Sequence, residues 1–191
     1  MKVLIVGEGA SELAGALSTL VTRLASAELE IHQDKVSQSG IHVHHGKGGG
    51  CFKRAVRWMI EAEKRGFDAV VLIIDQDGRP ERAKEFTEAQ EYTRISIRRA
   101  LGVAVKTFDT WMIADEAALT TVLDFPVNRQ PDPEAIRNPK AAFARLYAQM
   151  PSPRNPAALY AEIACQIDLD TLETRCPKGF QPFAERVKAL Y

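Results

Sequence analysis

The segment at residues 69–78 most constrains how this chain can fold. Residues 69–74 form an unbroken apolar run, AVVLII, and the polar sequence DQDG follows it directly. A strand that is apolar on both faces is typical of a parallel sheet covered by helices on both sides. Further mostly apolar segments at 2–6 and 103–108, which we predict to be strands, alternate with segments of helical periodicity. This order of strands and helices predicts an α/β fold with a mostly parallel central sheet.

The chain divides near residue 124. Before it, the apolar spacing predicts helices at 10–27, 52–65, 82–100 and 111–123, a short strand near Ile31 and an alternating segment at 41–44. After it, seven prolines between Pro126 and Pro156 separate short helical pieces. We therefore predict an α/β core at 1–124 and a helical extension at 125–191, packed on the core rather than forming an independent domain.

Five acidic residues follow the predicted strands. Glu8 lies between two glycines after the first strand, Glu12 one helical turn later, Asp75 and Asp77 after the central strand, and Asp109 after the third. The carboxyl ends of neighbouring parallel strands face one crevice, so these side chains are expected to converge. Clustered carboxylates repel one another unless their pKa values rise or a cation neutralises them. Oxygen-only clusters suit Mg²⁺ or Mn²⁺.

Two glycine-rich segments resemble nucleotide-binding loops only in part. The Gly7-x-Gly9 turn has Glu12 where a dinucleotide fingerprint needs its third glycine. The segment Gly46-Lys47 has Gly48 where a phosphate-binding loop needs Ser or Thr. Neither segment therefore predicts a nucleotide site by itself.

Histidine, basic and tryptophan residues leave alternatives open. The histidines at 42, 44 and 45 lack further ligands for zinc, so they are expected to be exposed or to line the site with Lys47. The basic stretch formed by Lys47 and residues 53–57 either contacts a phosphate backbone or is a solvated helix face. Arg79 either contacts a phosphate or pairs with Glu81. The tryptophans at 58 and 111 are expected in the core.

The acidic motifs resemble those of a known domain. VGEG at 6–9 followed by DQD at 75–77 resembles the Toprim domain of topoisomerases, bacterial primases and OLD nucleases, and EGASE at 8–12 is closest to the OLD type. The chain looks like a family of small Toprim-like bacterial proteins, some of them encoded near ATPases in defence loci. That family often has glutamate at the position of Asp109. Four further segments match it: GKG at 46–48, DTWMIAD at 109–115, NPK at 138–140 and CPKGF at 176–180.

The resemblance implies a Toprim-like Rossmannoid fold and phosphodiester chemistry that depends on Mg²⁺ or Mn²⁺. Asp75 and Asp77 would hold the metal, and Glu8 would share it or act as general base for the attacking water. Glu12 and Asp109 would be further metal ligands in a two-metal hydrolysis. Toprim topoisomerases take their tyrosine nucleophile from another domain that this chain lacks, so water is the expected nucleophile.

The expected function is a nuclease in bacterial defence, with Lys47 and Arg79 as substrate-binding residues. Nucleic acid is the expected partner, with a partner ATPase and a homodimer as further candidates. Twenty-five basic and 25 acidic residues cancel, which also favours a non-catalytic metal- and nucleic-acid-binding module that regulates an ATPase. A metal-dependent phosphatase or nucleotide hydrolase is a third interpretation. Three widely spaced cysteines and no membrane-length apolar stretch indicate a reducing, cytoplasmic compartment.

Overall fold

The central sheet is parallel, as predicted. The computed structural model describes residues 1–37, 50–152 and 154–191. Within these residues the sheet contains four strands in the order β2-β1-β3-β4, and each neighbouring pair is parallel. The strands are β1 (Lys2–Gly7), β2 (Glu30–Lys35), β3 (Ala69–Asp75) and β4 (Arg98–Ala104). The predicted α/β class is therefore confirmed.

Helices connect the strands and make up most of the C-terminal third. They are α1 (Leu17–Leu24), α2 (Cys51–Lys64), α3 (Glu81–Gln90), α4 (Asp109–Met112), α5 (Glu116–Leu123), α6 (Pro139–Tyr147), α7 (Pro156–Gln166), α8 (Leu169–Arg175) and α9 (Phe180–Lys188). A π-helical turn (Glu12–Ala16) precedes α1, and a 3-10 turn (Pro133–Ala135) precedes α6. Among the described helices, none combines the length and the apolar character needed to cross a membrane.

The sheet is buried on both faces, as its apolar strands require. Val71 and Ile73 of β3 lie in one core cluster with α1, α7 and α9, whereas Val70 and Leu72 lie in a second cluster with α2 and α3. Alternate residues of a strand point to opposite faces, which explains the uninterrupted apolar run. The tryptophans at 58 and 111 are fully buried, one in each cluster, as expected.

The predicted boundaries of α3 and β4 were wrong. A helix was expected at 82–100 and a strand at 103–108, but α3 ends at Gln90 and β4 begins at Arg98. The side chain of Gln90 donates to the carbonyl oxygen of Arg99 and accepts from the amide of Leu101, at 3.0 and 2.9 Å. The Arg99 guanidinium donates to the carbonyl oxygens of the preceding loop. Two arginines at the start of the strand hid its pattern in the sequence.

The helices predicted at 10–27 and 111–123 are also interrupted. The first begins as the turn Glu12–Ala16, in which Gly15 has a φ of +124°, and α1 then ends at Leu24. The second is divided into α4 and α5 at Asp115. In both places the apolar spacing continues across the break, so periodicity alone did not reveal it.

Asp115 begins α5 and connects it to the C-terminal helices. Its Oδ1 accepts hydrogen bonds from the amides of Ala117 and Ala118, and its Oδ2 accepts one from the amide of Asp168 at 2.9 Å. We expect Asp115→Ala to lower the free energy of unfolding by about 2 kcal/mol, because a helix cap and a buried bond are lost together. Urea denaturation measures this, with Asp115→Asn as the control that keeps an acceptor. A loss equal to that of the control would contradict the prediction.

Candidate functional site

The site lies where the strand order of the sheet reverses. The chain leaves β1 for β2 on one side and later adds β3 on the other, which opens a crevice at the carboxyl ends of β1 and β3. Glu8 directly follows β1, and Asp75 is the last residue of β3. The amide of Asp75 donates to Glu8 Oε2 at 3.0 Å. The structure thus brings together two acids that are 67 residues apart in the sequence.

Two arginines face these carboxylates. Arg54 of α2 donates to Glu8 Oε1 at 3.2 Å. Arg82 of α3 donates through Nη1 to Asp77 Oδ2 at 2.8 Å and to the carbonyl oxygen of Asp75 at 2.5 Å, and lies 3.9 Å from Glu8 Oε2. From the sequence, Arg54 was expected only as part of a basic stretch, and Arg82 was not predicted. The available signal was the position of Arg82, in the first turn of the helix that follows DQDG.

The Glu12 side chain stabilises the glycine turn by accepting hydrogen bonds from its backbone amides. The residue is 5% exposed, and its Oε2 accepts hydrogen bonds from the amides of Glu8 and Gly9 at 3.0 and 3.1 Å. A Cβ atom at Gly7 or Gly9 would lie 2.9 or 2.8 Å from an oxygen of this carboxylate. The glycines therefore make room for Glu12, and the amides that could cradle a phosphate are already occupied by an internal anion.

Burial and neighbouring acids raise the pKa values of two carboxyl groups in the crevice. Burial, followed by the charge of Glu12, raises the pKa of Asp75 to about 8, although the amide of Phe108 donates to Asp75 Oδ1 at 2.7 Å and opposes the shift. Burial also raises the pKa of Glu12, against the hydrogen bonds from Gly9 and Glu8. Perturbed carboxyl groups gathered in one crevice are typical of functional sites.

Asp109 lies on the wall of the cluster, held by a tyrosine from the C-terminal part. Thr107 Oγ1 donates to its Oδ2 at 2.9 Å, and the Tyr160 hydroxyl donates to its Oδ1. Burial, followed by the charge of Asp109, raises the pKa of Tyr160, so this hydroxyl keeps its proton. The tyrosine ring stacks on Phe108 at 6.5 Å between centroids. Tyr160 was not predicted from the sequence, since nothing local links it to a residue 51 positions away.

Asp77 is held in an uncommon backbone conformation. Its φ is +50°, and that of Gly78 is +70°. Its amide donates at 3.0 Å to the carbonyl oxygen of Lys106, another non-glycine residue with a positive φ, +64°. Aspartate adopts this region more readily than most residues. The strained turn places a side chain that is 51% exposed at the mouth of the crevice.

The two predicted substrate-binding residues have different outcomes. Lys47 lies outside the described residues, as do His42, His44 and His45. Arg79 is exposed, and within the described residues its side chain forms no ion pair, including none with Glu81. A role for Lys47 or Arg79 in binding substrate stays a prediction.

The donor chemistry of the cluster fits a hard divalent cation, although its present arrangement favours the arginines. The two guanidinium groups pair with Glu8 and Asp77, and the Asp75 carboxylate has no ion-pair partner in the described part of the chain. Across 1–37, 50–152 and 154–191, no three Asp, Glu, His or Cys side chains stand ready as a metal-ligand set. The oxygens of Glu8, Asp75 and Asp77 are the type that Mg²⁺ and Mn²⁺ prefer. To share an ion with Asp75, Glu8 and Asp77 must give up their arginine contacts.

Comparison with known proteins adds no relative. The chain matches no protein-family model, no curated protein and no solved structure. The Toprim resemblance stays a prediction from the sequence motifs. The observed basis for function is the placement of Glu8, Asp75 and Asp77 at one crevice, with Glu12 and Asp109 beside them.

Proposed function

We propose that this chain is a Toprim-like hydrolase that cleaves phosphodiester bonds of nucleic acid with Mg²⁺ or Mn²⁺ in bacterial defence. The observation that carries the proposal is the crevice between β1 and β3, where Glu8, Asp75 and Asp77 meet Arg54 and Arg82. Carboxylates supply ligands for the cation, and guanidinium groups match the oxygens of a phosphate. Both halves of a metal-dependent phosphodiesterase site thus lie within hydrogen-bonding distance of each other.

Each acid has a distinct place in the proposed reaction. Asp75 and Asp77 would hold the cation, which, when bound, polarises the phosphate and makes its bound water more acidic. Glu8, which is fixed by the amide of Asp75, would share the cation or accept the proton of the attacking water. Asp109, held from two sides, orients the far wall of the crevice. Glu12 keeps the glycine turn in the shape that presents Glu8.

A second candidate is a non-catalytic module that binds metal and nucleic acid and regulates a partner ATPase. The arginine contacts favour it, because Glu8 and Asp77 are already paired with internal cations. A nucleotide hydrolase is less well supported, because the Glu12 carboxylate fills the amides that a terminal phosphate would use.

Hydrolysis of generic and nucleic acid substrates separates these functions. Bis(p-nitrophenyl) phosphate, p-nitrophenyl phosphate, plasmid, linear duplex, single-stranded DNA and RNA would be incubated with protein and Mg²⁺ or Mn²⁺. The matched variant is Asp77→Asn, because asparagine tolerates the positive φ at this position as alanine does not. We expect the wild type to cleave diesters, and we expect EDTA or the variant to stop it.

Other outcomes of this experiment point elsewhere. Cleavage of the monoester alone would indicate a phosphatase. Binding of Mn²⁺ and nucleic acid without any cleavage would support the regulatory module. Equal cleavage by wild type and Asp77→Asn would mean that a contaminant or another site is responsible.

A further inference from the structure

We propose that Arg82 is an internal counter-ion that a divalent cation must displace from Asp77 and Glu8, and that the displaced guanidinium then binds the substrate phosphate. The inference rests on the proposed function and adds a regulatory exchange to the same site. Its residues are Arg82 in the first turn of α3 and the two acids at the mouth of the crevice.

The contacts of Arg82 converge on a single nitrogen. Its Nη1 lies 2.8 Å from Asp77 Oδ2, 2.5 Å from the carbonyl oxygen of Asp75 and 3.9 Å from Glu8 Oε2. The side chain is 13% exposed, so these contacts are shielded from water more than an ordinary surface ion pair is. Arg82 therefore stands among the oxygens that the proposed function assigns to the cation.

A cation and Arg82 compete for these oxygens. Both are positive, so a cation bound to Asp77 and Glu8 repels a guanidinium that remains within a few ångström. Arg54 differs, because it approaches Glu8 from α2 at the other oxygen and has no bond to Asp77. Arg54 can hold Glu8 in place while Arg82 moves.

A displaced Arg82 keeps the groups that recognise a phosphate. Its Nε and Nη2 make no hydrogen bond to a described residue. A guanidinium offers parallel N–H donors that match two phosphate oxygens, which a lysine ammonium cannot reproduce. The side chain starts at the mouth of the crevice, so a short movement turns it towards a substrate held there. Arg82 thus pairs with the acids of the crevice when no metal is bound, and binds the substrate phosphate when a metal is bound.

Isothermal titration with Mn²⁺ alone tests the first half of the exchange. We expect Arg82→Gln to bind Mn²⁺ about three- to tenfold more tightly than the wild type, the effect of losing one competing ion pair. Arg79→Gln is the matched charge control, since it removes an equal charge three residues before Arg82, at a residue without an ion pair to the described chain. It should change Mn²⁺ affinity less than Arg82→Gln does.

Binding of a fluorescent single-stranded oligonucleotide with Ca²⁺ present tests the second half. We expect Arg82→Gln to weaken this binding about tenfold, since a bidentate phosphate contact is lost. Arg82→Lys should also weaken it, because the charge remains but the fork is gone. Opposite changes in metal and oligonucleotide affinity are the signature of the exchange, which a merely structural arginine would not produce. Circular dichroism would establish that each variant is folded; if Arg82→Gln is not, Arg82→Met, which also removes the charge, replaces it in both titrations.

The outcomes separate the inference from the proposed function. If the wild type binds no Mn²⁺, the proposed function fails and the exchange fails with it. If the wild type binds Mn²⁺ but the folded Arg82 variant binds it no more tightly, or Arg79→Gln gains as much, the exchange alone is overturned. If oligonucleotide affinity is unchanged, Arg82 does not contact phosphate and the second half is overturned.

Discussion

Asp75→Asn is expected to stabilise the metal-free protein at pH 8 and to lower hydrolysis by roughly 10²–10³-fold, the scale of losing one preorganised charged group. The stability gain follows because the Asp75 carboxylate is buried among other acids and has a pKa raised to about 8. Asparagine stays neutral and keeps an oxygen that can accept from the amide of Phe108. The substitution thus removes the repulsion and keeps the hydrogen bond.

The sign of the pH dependence follows from the raised pKa. Below about pH 4, Asp75 is protonated in both the folded and the unfolded chain, and its contribution to stability is fully present. As pH rises towards 8, the unfolded chain releases this proton while the folded chain retains it, so folding stability falls across that window. At pH 8 we expect Asp75→Asn to be more stable than the wild type by roughly 1–3 kcal/mol, and at about pH 4 the difference should disappear.

Urea denaturation in EDTA at both pH values measures this difference. Adding Mg²⁺ at pH 8 should stabilise the wild type but not Asp75→Asn. The reason is that the cation binds the ionised Asp75 carboxylate, which the neutral asparagine lacks. Glu88→Gln on the exposed surface of α3 is the matched control for charge removal. A variant that is less stable than the wild type at pH 8 would contradict the arrangement of charges described for this crevice.

Glu12→Ala is expected to lower the free energy of unfolding by about 2 kcal/mol and to reduce hydrolysis. The loss follows because the amides of Glu8 and Gly9 lose their carboxyl acceptor in a partly buried turn. Glu12→Gln keeps an oxygen in this position and is expected to fold almost as well. Denaturation gives the stability of both variants, and Mn²⁺ titration of Glu12→Gln then shows whether the acid also binds metal.

A double-mutant cycle with Gly9 tests the same contact from the other side. The φ of Gly9 lies outside the left-handed region, so the close approach of Glu12 is the obstacle to a side chain there. Gly9→Ala should destabilise the wild type by about 1–3 kcal/mol and the Glu12→Ala protein much less. Additive effects would mean that the carboxylate does not occupy the turn as described.

The sequence predicted the parallel sheet and the convergence of acids because both depend on local patterns. The apolar run at 69–74 reveals a strand buried on two faces, and the rule that parallel strands end at one edge brings Glu8 to Asp75. The limits of β4 were not predictable in this way, because its first residues are arginines whose side chains bond to the carbonyl oxygens of Leu190 and of the preceding loop. Where such a strand begins is set by burial and tertiary contacts, which the local sequence pattern does not reveal.

Side-chain partners within the site were less predictable than its location. Arg82 and Tyr160 were missed because each meets its carboxylate only after the helices pack. Glu12 was expected as a further metal ligand, and that interpretation did not include the bonds it makes back to the turn. A periodic pattern indicates which face of a helix is buried, but it does not identify which polar atom a buried side chain reaches.

The packing of α7 against the Glu12–Ala16 turn limits how the chain can be shortened. Ala161 lies so close to Gly15 that a Cβ there would come within 3.1 Å of it, and Tyr160 reaches Asp109 from the same helix. A fragment that stops at residue 124 keeps every acid of the crevice yet lacks the surface against which two of them are set. We expect the parts before and after residue 124 to stay associated when limited proteolysis cleaves between them. We expect a chain expressed only to residue 124 to fold only when the missing helices are supplied as a separate polypeptide.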